Sequence, residues 1–500
     1  MDYKKLQNGS DIRGVALEGI EGQNVNLTEK VCTDIGRGFA LWLIEKKGKT
    51  NLRVAVGRDS RLSGETLCKW LCSAMVKSGL NVVNFNMAST PAMFMSTVTG
   101  GFNFDGSVMI TASHLPFNRN GFKFFTSLGG LEKEDIKQIL AYAESDKQTS
   151  LPEGTLSCGD FMDTYSSILA DKIRKATCEE RPLEGFKIVV DAGNGAGGFF
   201  VDKVLNPLGA DTTGSRFLEP DGSFPNHIPN PENKEAMESI TQAVIENKAD
   251  LGIIFDTDVD RAGAVLSDGS ELNRNRIIAM LSAILLREHP GTTIVTDSIT
   301  STGLAEFIAE KGGIHHRFKR GYRNVINESI KLNNNGQDSQ LAIETSGHGA
   351  LKENYFLDDG AYLVTKLLIE LARGKKQGYT LSSLISTLKE PKESVEFRMN
   401  ILLDDFKAYG QKVIDDLTEF AKVEKGFSLA PNNYEGVRVN LDENNGNGWF
   451  LLRLSLHDPL LPLNIESNEV GGAKIIANKL YNFIKKYDKL DVSSIEKYLN

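Results

Sequence analysis

The sequence VMITASHLPFNRNGFK, residues 108–123, carries the strongest indication of both fold and chemistry in this chain. Its apolar start predicts a short buried strand, and the polar residues that follow Pro116 predict a loop before a second strand over residues 122–125. Ser113 lies at the end of the first strand, beside His114. A serine in such a position, facing a loop that ends in a lysine, is suited to act as a nucleophile. The alternative is a turn serine that hydrogen-bonds its own backbone.

The surrounding chain repeats a strand, a polar or glycine-rich loop and a helix. The strands are predicted at residues 53–57 (RVAVG), 187–191 (KIVVD) and 292–296 (TTIVT). Their wide spacing indicates three related α/β domains, and the C-terminal part, which lacks the repeat, is predicted to be an α+β domain. Polar linkers suggest the boundaries, so the predicted domains are residues 1–155, 156–270, 271–388 and 389–500.

Composition limits the class of protein. The 500 residues are too many for one hydrophobic core, and 40% hydrophobic with 25% charged residues is typical of a globular protein. The net charge of -9 argues against non-specific nucleic-acid binding. The cysteine count is five, without a CxxC pair, which indicates neither a disulfide framework nor a zinc site. With no signal-peptide core or membrane-length apolar run, we expect a cytoplasmic protein without a membrane partner.

The apolar run LGIIF, residues 251–255, leads into DTDVDR. In an extended segment residues two apart point the same way, so Asp256, Asp258 and Asp260 are expected to converge. Two bare carboxylates ~4 Å apart repel by about 4 kcal/mol at an effective dielectric constant of 20, so the three require a cation. All-oxygen ligation favours Mg²⁺ over zinc. Arg261 follows directly and could serve an anionic ligand; the alternative to a metal site is a solvated acidic turn.

Two further polar clusters follow short apolar runs later in the chain. Glu344 and Ser346 alternate in IETSGHG, where they could hydrogen-bond a polyol, and His348 could act as an acid or a base. Near the C-terminus, Arg453 and Ser455 alternate in RLSLHDP, as in an anion cradle. A glycine-rich turn accounts for the first pattern equally well, and a half-buried strand with a polar face accounts for the second.

Two cationic segments complete the candidates. Arg13 lies in DIRG near the N-terminus, and residues 316–325 (HRFKRGYRNV) place Arg323 close to Gly321. Both segments could reach an anionic group such as a phosphate. The alternatives are a surface ion pair for the first and a solvated charged face for the second.

Taken together, these motifs resemble the α-D-phosphohexomutase superfamily. The family's serine loop, TASH-x-P ending in NGFK, is here TASHLP and NGFK; its DxDxDR is DTDVDR and its ExSGH is ETSGH, while DIRG and VGRDSR also match. The resemblance implies three similar α/β domains with mixed sheets plus a C-terminal α+β domain around a central cleft. It also implies an enzyme that interconverts hexose 1-phosphate and hexose 6-phosphate, of mannose or glucose, through a phosphoserine and a 1,6-bisphosphate.

The same resemblance implies a role for each candidate residue. The implied catalytic residues are Ser113, which carries the phosphoryl group, and His114, Lys123, Arg13, Arg261 and His348. The implied ligands of one Mg²⁺ per active site are the Ser113 phosphate, Asp256, Asp258 and Asp260. The implied substrate-binding residues are Glu344, Ser346, Gly321, Arg323, Arg453 and Ser455. Glucose or mannose 1,6-bisphosphate is the implied activator, and the implied partner is a small phosphosugar bound by a monomer or homodimer.

The chain departs from the family pattern in two places. Leu115 replaces the usual asparagine of the serine loop, which changes the loop's polarity but not its nucleophile. The family's RxSGTEP phosphate loop is here RLSLHDP, with Leu456, His457 and Asp458 in place of Gly, Thr and Glu. Because Leu456 removes glycine's backbone freedom, we expect this loop to bind phosphate differently.

Two other functions compete with the mutase. An apolar strand ending in DxD is also typical of haloacid-dehalogenase-like phosphatases, in which Asp256 would be the nucleophile and Asp258 the acid. The altered C-terminal loop would also suit a non-catalytic phosphosugar-binding protein.

Overall fold

A computed structural model describes residues 2–455 and 458–500. They form two compact units, one of residues up to Ile284 with Ser346–Leu384, the other of Leu285–Thr345 with Ile385–Asn500. Within the described ranges, no helix is both long enough and apolar enough to cross a membrane.

The first unit begins with a mixed sheet that carries the serine loop. Its central strands are parallel, and the strands on one side of them pair antiparallel. The strands run in the spatial order β1-β2-β6-β5-β3-β4-β8, with β7 paired to β6. Their bounds are β1 (Gln7–Asn8), β2 (Asp11–Val15), β3 (Arg53–Arg58), β4 (Asn81–Met87), β5 (Gly106–Ile110), β6 (Arg119–Thr126), β7 (Gly129–Gly130) and β8 (Leu156–Cys158).

Helices cover this sheet and begin at capping side chains. The Thr28 side chain accepts a hydrogen bond from the Val31 backbone, and Ser89 does the same for Ala92. Leu67 and Leu71 lie one helical turn apart on the second of these helices, and both side chains are buried in the core. The helices are α1 (Glu29–Lys47), α2 (Gly64–Lys77), α3 (Thr90–Val98) and α4 (Lys133–Glu144).

A second mixed sheet carries the aspartate loop. Its order is β12-β11-β10-β9, and β10 pairs parallel with β9 and antiparallel with β11. The segment after β9 contains one π-helical turn, Val201–Leu205, and Pro207 prevents the helix from continuing. The elements are α5 (Met162–Thr177), β9 (Ile188–Asp191), α6 (Lys234–Asn247), β10 (Leu251–Phe255), β11 (Ala262–Leu266), β12 (Glu271–Leu272) and α7 (Arg274–Glu288), which ends in the second unit.

Three parallel strands lie in the second unit, in the order β14-β13-β15. The elements here are β13 (Thr293–Thr296), α8 (Thr302–Glu310), β14 (Ile314–Arg317), α9 (Tyr322–Asn334) and β15 (Ser339–Ile343). The chain then contributes to the first unit an antiparallel pair of strands and a long helix that begins at Gly360. The Asp359 side chain caps this helix by accepting a hydrogen bond from the Tyr362 backbone. These are β16 (Gly349–Leu351), β17 (Leu357–Asp358), α10 (Gly360–Gln377) and the short α11 (Leu381–Leu384).

The C-terminal part of the second unit is the predicted α+β domain, with one antiparallel sheet in the order β18-β22-β21-β20-β19. Phe397, Leu417, Val439 and Leu480 are among the side chains that fill its core between sheet and helices. Leu456 and His457 of the divergent loop lie outside the described residues. The elements are β18 (Glu393–Asn400), α12 (Phe406–Val423), β19 (Phe427–Leu429), β20 (Val437–Leu441), β21 (Gly448–Leu452), β22 (Leu460–Ser467), α13 (Gly472–Ile484) and α14 (Ser493–Leu499).

Candidate active site

Ser113 follows β5 and contacts residues that come far later in the sequence. Its backbone has φ of +50°, a left-handed conformation that is strained for a residue with a side chain. The hydroxyl donates to Asp256 Oδ2 at 2.9 Å and accepts from Arg261 Nη2 at 2.9 Å. The serine loop and the aspartate loop therefore meet, as the sequence predicted.

Asp256, Asp258 and Asp260 converge, but not by the predicted route. One carboxylate oxygen from each lies within 4.8 Å of the others, and all three residues are buried. The segment is a tight turn in which Val259 has φ of +68°, so the alternation expected of an extended strand is wrong. Thr90, at the start of α3, fixes the turn: its hydroxyl donates to Asp258 Oδ2 and its backbone N–H to the Asp258 carbonyl.

Two buried cations compensate part of this negative charge. Lys123, on β6, bonds Asp258 Oδ2 at 3.1 Å and also bonds Asp260 Oδ2. Arg261 Nε donates to Asp256 Oδ2 at 3.1 Å. Burial, and then the charge of Asp260, raise the pKa of Asp256 well above its ordinary value. Two cations therefore do not fully neutralise three carboxylates in this pocket.

The donor set fits a hard divalent cation. Oδ1 of Asp258 and Oδ1 of Asp260 are buried, and neither has a hydrogen-bond partner among the described residues. Buried carboxylate oxygens that lack a partner are costly unless a cation or water binds them. Oxygen-only donors are those preferred by Mg²⁺. The three aspartates are therefore the residues that could hold the metal.

His348 lies beside the aspartate loop through an isolated antiparallel bridge between its backbone and that of Arg261. Its Nδ1 is 2.6 Å from Asp358 Oδ2 and 3.9 Å from Asp260 Oδ1. Burial opposes the charged form, but Asp358 and Asp260 outweigh it and raise the pKa of His348 to about 9. The imidazole is therefore a cation at neutral pH and can donate a proton.

The two remaining catalytic candidates of the first unit are also close to Ser113. The Arg261 guanidinium donates to His114 Nδ1 at 2.7 Å, so this nitrogen carries no proton in this arrangement. Arg13, on β2, donates to the Thr111 carbonyl and pairs with Asp11 at 2.8 Å. Ser346 is buried in the same unit, and its hydroxyl has no hydrogen-bond partner among the described residues.

The other substrate-binding candidates lie in the second unit. Glu344 follows β15, is buried, and accepts a 2.7 Å hydrogen bond from the Gly321 backbone. Arg323 is in the first turn of α9. Arg453 and Ser455 follow β21, and burial followed by the charge of Arg320 lowers the pKa of Arg453. The structure thus joins Gly321 to Glu344, two residues that the sequence had only placed in separate motifs.

Sequence reasoning missed Arg61, which holds the serine loop. Its guanidinium donates to the carbonyls of Pro116 at 2.9 Å, Arg119 at 3.0 Å and Leu115 at 2.6 Å, and also to that of Ser113. The side chain is fully buried and lies 3.5 Å from Asp59 Oδ2. The VGRDSR motif marked this arginine, but backbone carbonyls carry no sequence signal that could name its partners.

We expect Arg61→Lys to lower kcat by about a hundredfold, because one ammonium cannot bond four carbonyls and the serine is then held less accurately. Steady-state kinetics with the purified variant measures this. Arg53→Lys, at an exposed arginine whose side chain donates to the Phe102 carbonyl, is the matched control and is expected to keep full activity. Equal kcat values for Arg61→Lys and the control would contradict the role.

A second group outside the sequence candidates surrounds Asp191 at the end of β9. His227 Nε2 is 3.0 Å from Asp191 Oδ1, and its Nδ1 is 3.0 Å from the Ile228 carbonyl, which can only accept. Both ring nitrogens therefore donate, and the imidazole is a cation. Burial lowers the pKa of His227, but the hydrogen bond and charge of Asp191 outweigh it and raise the value above 6.5.

This arrangement predicts a pH-dependent contribution to stability. Because the folded-state pKa of His227 is raised, its contribution is complete below pH 6.5 and is lost as the pH rises through the folded-state value. His227→Gln is expected to cost about 1.5–3 kcal/mol at pH 6, the range for hydrogen bonds to charged groups. Thermal unfolding midpoints of both proteins between pH 6 and pH 9 measure the difference. A deficit that stays constant across this range would contradict the assignment.

Comparison with known proteins finds relatives that match this chain over most of its length. Sequence models of the phosphoglucomutase/phosphomannomutase alpha/beta/alpha domains I, II and III match residues 4–150, 163–269 and 273–390. The phosphoglucomutase of Neisseria meningitidis serogroup A is 31% identical over 478 residues, which cover 95% of this chain and 96% of that protein. The phosphomannomutase/phosphoglucomutase of Pseudomonas putida is 31% identical over 436 residues, covering 86% and 88%.

A solved structure shows the same architecture. The crystal structure of a phosphoglucomutase/phosphomannomutase family protein from Burkholderia thailandensis superposes with a TM-score of 0.78 at 27% sequence identity, covering 96% of each chain.

The chain therefore belongs to the phosphoglucomutase/phosphomannomutase family of the α-D-phosphohexomutase superfamily. It is a phosphohexomutase, a hexose phosphate isomerase of carbohydrate metabolism. Membership decides against the dehalogenase-like phosphatase and the non-catalytic binding protein. The predicted domain bounds, which differ in detail from the matched ranges, stay predictions.

Proposed function

We propose that this phosphohexomutase works through a phosphoserine at Ser113 and a hexose 1,6-bisphosphate intermediate. The observation that carries the proposal is the pair of contacts of the Ser113 hydroxyl, to Asp256 and to the Arg261 guanidinium. The serine sits at a strand end in a strained conformation, next to a cation and to a group of carboxylates that fits a metal. These are the elements that phosphoryl transfer requires, since its catalysis is positioning and charge stabilisation.

In the first half-reaction, the bond between phosphorus and Ser113 Oγ breaks, and a bond forms between phosphorus and a hydroxyl oxygen of the bound hexose monophosphate. The sugar hydroxyl loses its proton and Ser113 Oγ gains one. In the second half-reaction the bond between the other phosphorus and its sugar oxygen breaks, and a bond forms between that phosphorus and Ser113 Oγ. Ser113 Oγ loses its proton and the sugar oxygen gains one. The net result is exchange of hexose 1-phosphate and hexose 6-phosphate.

We assign roles in this transfer to residues of the first unit. Arg261 already donates to Ser113 Oγ and would stabilise the charge that develops on that oxygen. His348, a cation at neutral pH, would give a proton to the leaving oxygen and take one back in the reverse direction. Lys123 and Arg13 would stabilise the negative charge of the transferred group, and His114 would share this task through its contact with Arg261.

We propose one Mg²⁺ held by Asp256, Asp258 and Asp260, with the Ser113 phosphate as a further ligand. When bound, the ion would neutralise charge on the phosphoryl oxygens. The carboxylates are brought together by the turn at Val259 and by Thr90, so the chain itself fixes the ligand set.

For substrate recognition we propose Glu344 and Ser346 as the groups that bind sugar hydroxyls, with Gly321 and Arg323 in the adjoining segment. Arg453 and Ser455 would bind the phosphate that does not react. The relatives carry names for glucose and mannose activity, which supports both hexoses as substrates. Glucose or mannose 1,6-bisphosphate as activator, a cytoplasmic location and a monomeric or homodimeric state stay predictions.

Transfer of radiolabelled phosphate from glucose 1,6-bisphosphate tests the phosphoserine directly. The label is expected on the peptide containing Ser113, and label on Asp256 would contradict the mechanism. A coupled assay with glucose 1-phosphate, mannose 1-phosphate and glucosamine 1-phosphate, each with a trace of bisphosphate, tests the substrate. We expect turnover of the first two, and turnover of glucosamine 1-phosphate alone would contradict the proposed hexoses.

A further inference from the structure

A cavity of about 180 Å³ lies within the second unit, between β14 and the loop before β20. The residues of its wall include Ser298, Arg317, Phe318, Tyr434 and Arg438. None of the residues assigned above to phosphoryl transfer or to sugar recognition lines it, so it is a separate site within this unit. An engineered apolar cavity of about 150 Å³ is large enough to bind benzene, so this one has room for a six-membered ring with one small substituent.

One end of the cavity is cationic. Arg438 is only 3% exposed, and its guanidinium carbon lies 3.6 Å from the centre of the Trp449 ring. One guanidinium nitrogen, Nη1, donates to the Ser298 carbonyl at 2.7 Å, whereas Nη2 is buried and has no hydrogen-bond partner among the described residues. Leaving a buried guanidinium N–H without an acceptor is costly.

No carboxylate offsets this charge at the wall: the described residues that line the cavity include no Asp or Glu. Arg317 lies close enough that burial, and then its charge, lower the pKa of Arg438 well below its ordinary value. The charges of Glu466 and Asp297 act in the opposite direction on this pKa, but neither residue lines the cavity. The cavity is therefore suited to an anion rather than to a cation or a neutral ligand.

Part of the cavity wall is aromatic. The rings of Phe318 and Tyr434 have centroids 4.9 Å apart, and the His316 ring is 5.3 Å from that of Tyr434. Burial lowers the pKa of His316, so this ring is neutral and contributes a flat face rather than a charge. Aromatic faces together with a few convergent polar groups are typical of sites for small organic ligands. A phosphate ion would use neither the aromatic wall nor the volume beside it.

We propose that this cavity is a binding site for a small planar monocarboxylate of about the size of benzoate. Its carboxylate would lie against the Arg317 and Arg438 side chains that line the cavity, and its ring would pack on Phe318 and Tyr434. Ser298 also donates to Glu435, and Glu435 Oε1 accepts at 3.2 Å from the backbone of Arg320, next to Gly321. These hydrogen bonds would connect the residues around the occupant to Arg320, which directly precedes Gly321 and lies close to Arg323, two of the proposed sugar-binding residues.

Isothermal titration of the full-length protein with benzoate tests the proposal without any measurement of turnover. We expect saturable one-site binding, and a dissociation constant at least about tenfold higher in both Tyr434→Ala and Arg438→Lys. Tyr434 is 40% exposed, so its removal leaves the fold intact even if Arg438→Lys proves unstable. Tyr355→Ala, at another exposed tyrosine outside the cavity, is the matched control and is expected to bind benzoate as the unmodified protein does.

Competing ligands separate this site from the sugar-phosphate site and from a general anion site. Benzyl alcohol, which has the ring without the charge, and inorganic phosphate, which has the charge without the ring, are both expected to leave benzoate binding unchanged. Saturating glucose 1-phosphate is expected to leave it unchanged as well. Absence of saturable binding, equal affinity in Tyr434→Ala, or displacement by any of these three ligands would overturn the proposal. None of these outcomes depends on whether Ser113 carries a phosphoryl group.

Discussion

Ser113→Ala is expected to lower kcat by at least about a thousandfold while the protein remains folded. The variant removes the hydroxyl oxygen that the aspartate loop and Arg261 hold between them, so no phosphoryl group can be carried by the enzyme. The methyl group that remains occupies the same strained backbone position. Because a net hydrogen bond is worth about 1 kcal/mol, the thermal unfolding midpoint is expected to change by no more than about 4 °C.

A coupled mutase assay and a thermal scan on the same preparation measure both effects. Ser96→Ala is the matched control: this serine is equally buried in the first unit, but its hydroxyl donates to the Met93 carbonyl within α3, away from the aspartates. The control is expected to keep its activity. Mutase turnover in Ser113→Ala at the level of the control would rule out a phosphoserine mechanism.

The sequence predicted much of this site because its chemistry is concentrated in short motifs at strand ends. The serine loop follows β5 and the acidic loop follows β10, each at the carboxyl end of a strand of its own mixed sheet, where ligand-binding loops of α/β sheets lie. The α/β repeat and the α+β character of the C-terminal part are confirmed for the same reason, since strand and helix periodicity is local. The prediction that the three aspartates converge was right, but the predicted cause was wrong. The chain turns at Val259, which has a left-handed backbone conformation, and alternation along an extended strand does not predict such a turn.

Other features depend on contacts that no local pattern contains. Arg61 acts on four backbone carbonyls, and a carbonyl is present at every residue, so the sequence cannot indicate which ones it bonds. The imidazolium of His227, in a loop, depends on an aspartate at the end of β9, 36 residues earlier in the sequence. The aromatic wall at Tyr434 forms only when a loop of the C-terminal domain packs beside β14. Partners distant in sequence, rather than residue types, determine each of these groups.

Removal of divalent metal is expected to abolish turnover, and Mg²⁺ is expected to restore it. The charge balance gives the reason. Three buried carboxylates face two buried cations, Lys123 and Arg261, because the nearby His348 imidazolium is paired with a fourth carboxylate, Asp358. A phosphoserine would add about -1.5 to -2 charges. Without a further cation this pocket would have to hold a strongly negative group in a buried environment, which is very unfavourable.

EDTA treatment followed by dialysis is expected to lower kcat at least about a hundredfold, and added Mg²⁺ to return it to the starting value. Mg²⁺ is also expected to raise the unfolding midpoint, because a ligand at about 100 times its Kd stabilises the folded state by about 2.7 kcal/mol. Asp258→Asn is expected to lose both the activity and the shift. Asp171→Asn, at an exposed aspartate of α5, is the matched control that keeps both.

Turnover and the Mg²⁺-dependent rise of the unfolding midpoint together distinguish a failure of the proposed metal site from a failure of the proposed phosphoserine. Ser113→Ala retains all three aspartates, so Mg²⁺ is still expected to raise its unfolding midpoint although turnover is lost. Full activity in the presence of EDTA would contradict the metal site, and so would stronger restoration by Zn²⁺ than by Mg²⁺, because a set of carboxylate oxygens is the weaker match for zinc. A Mg²⁺-dependent shift of the unfolding midpoint that persists in Asp258→Asn would place the ion elsewhere. Oδ1 of Asp258 is one of the two buried carboxylate oxygens of the aspartate loop that have no hydrogen-bond partner among the described residues.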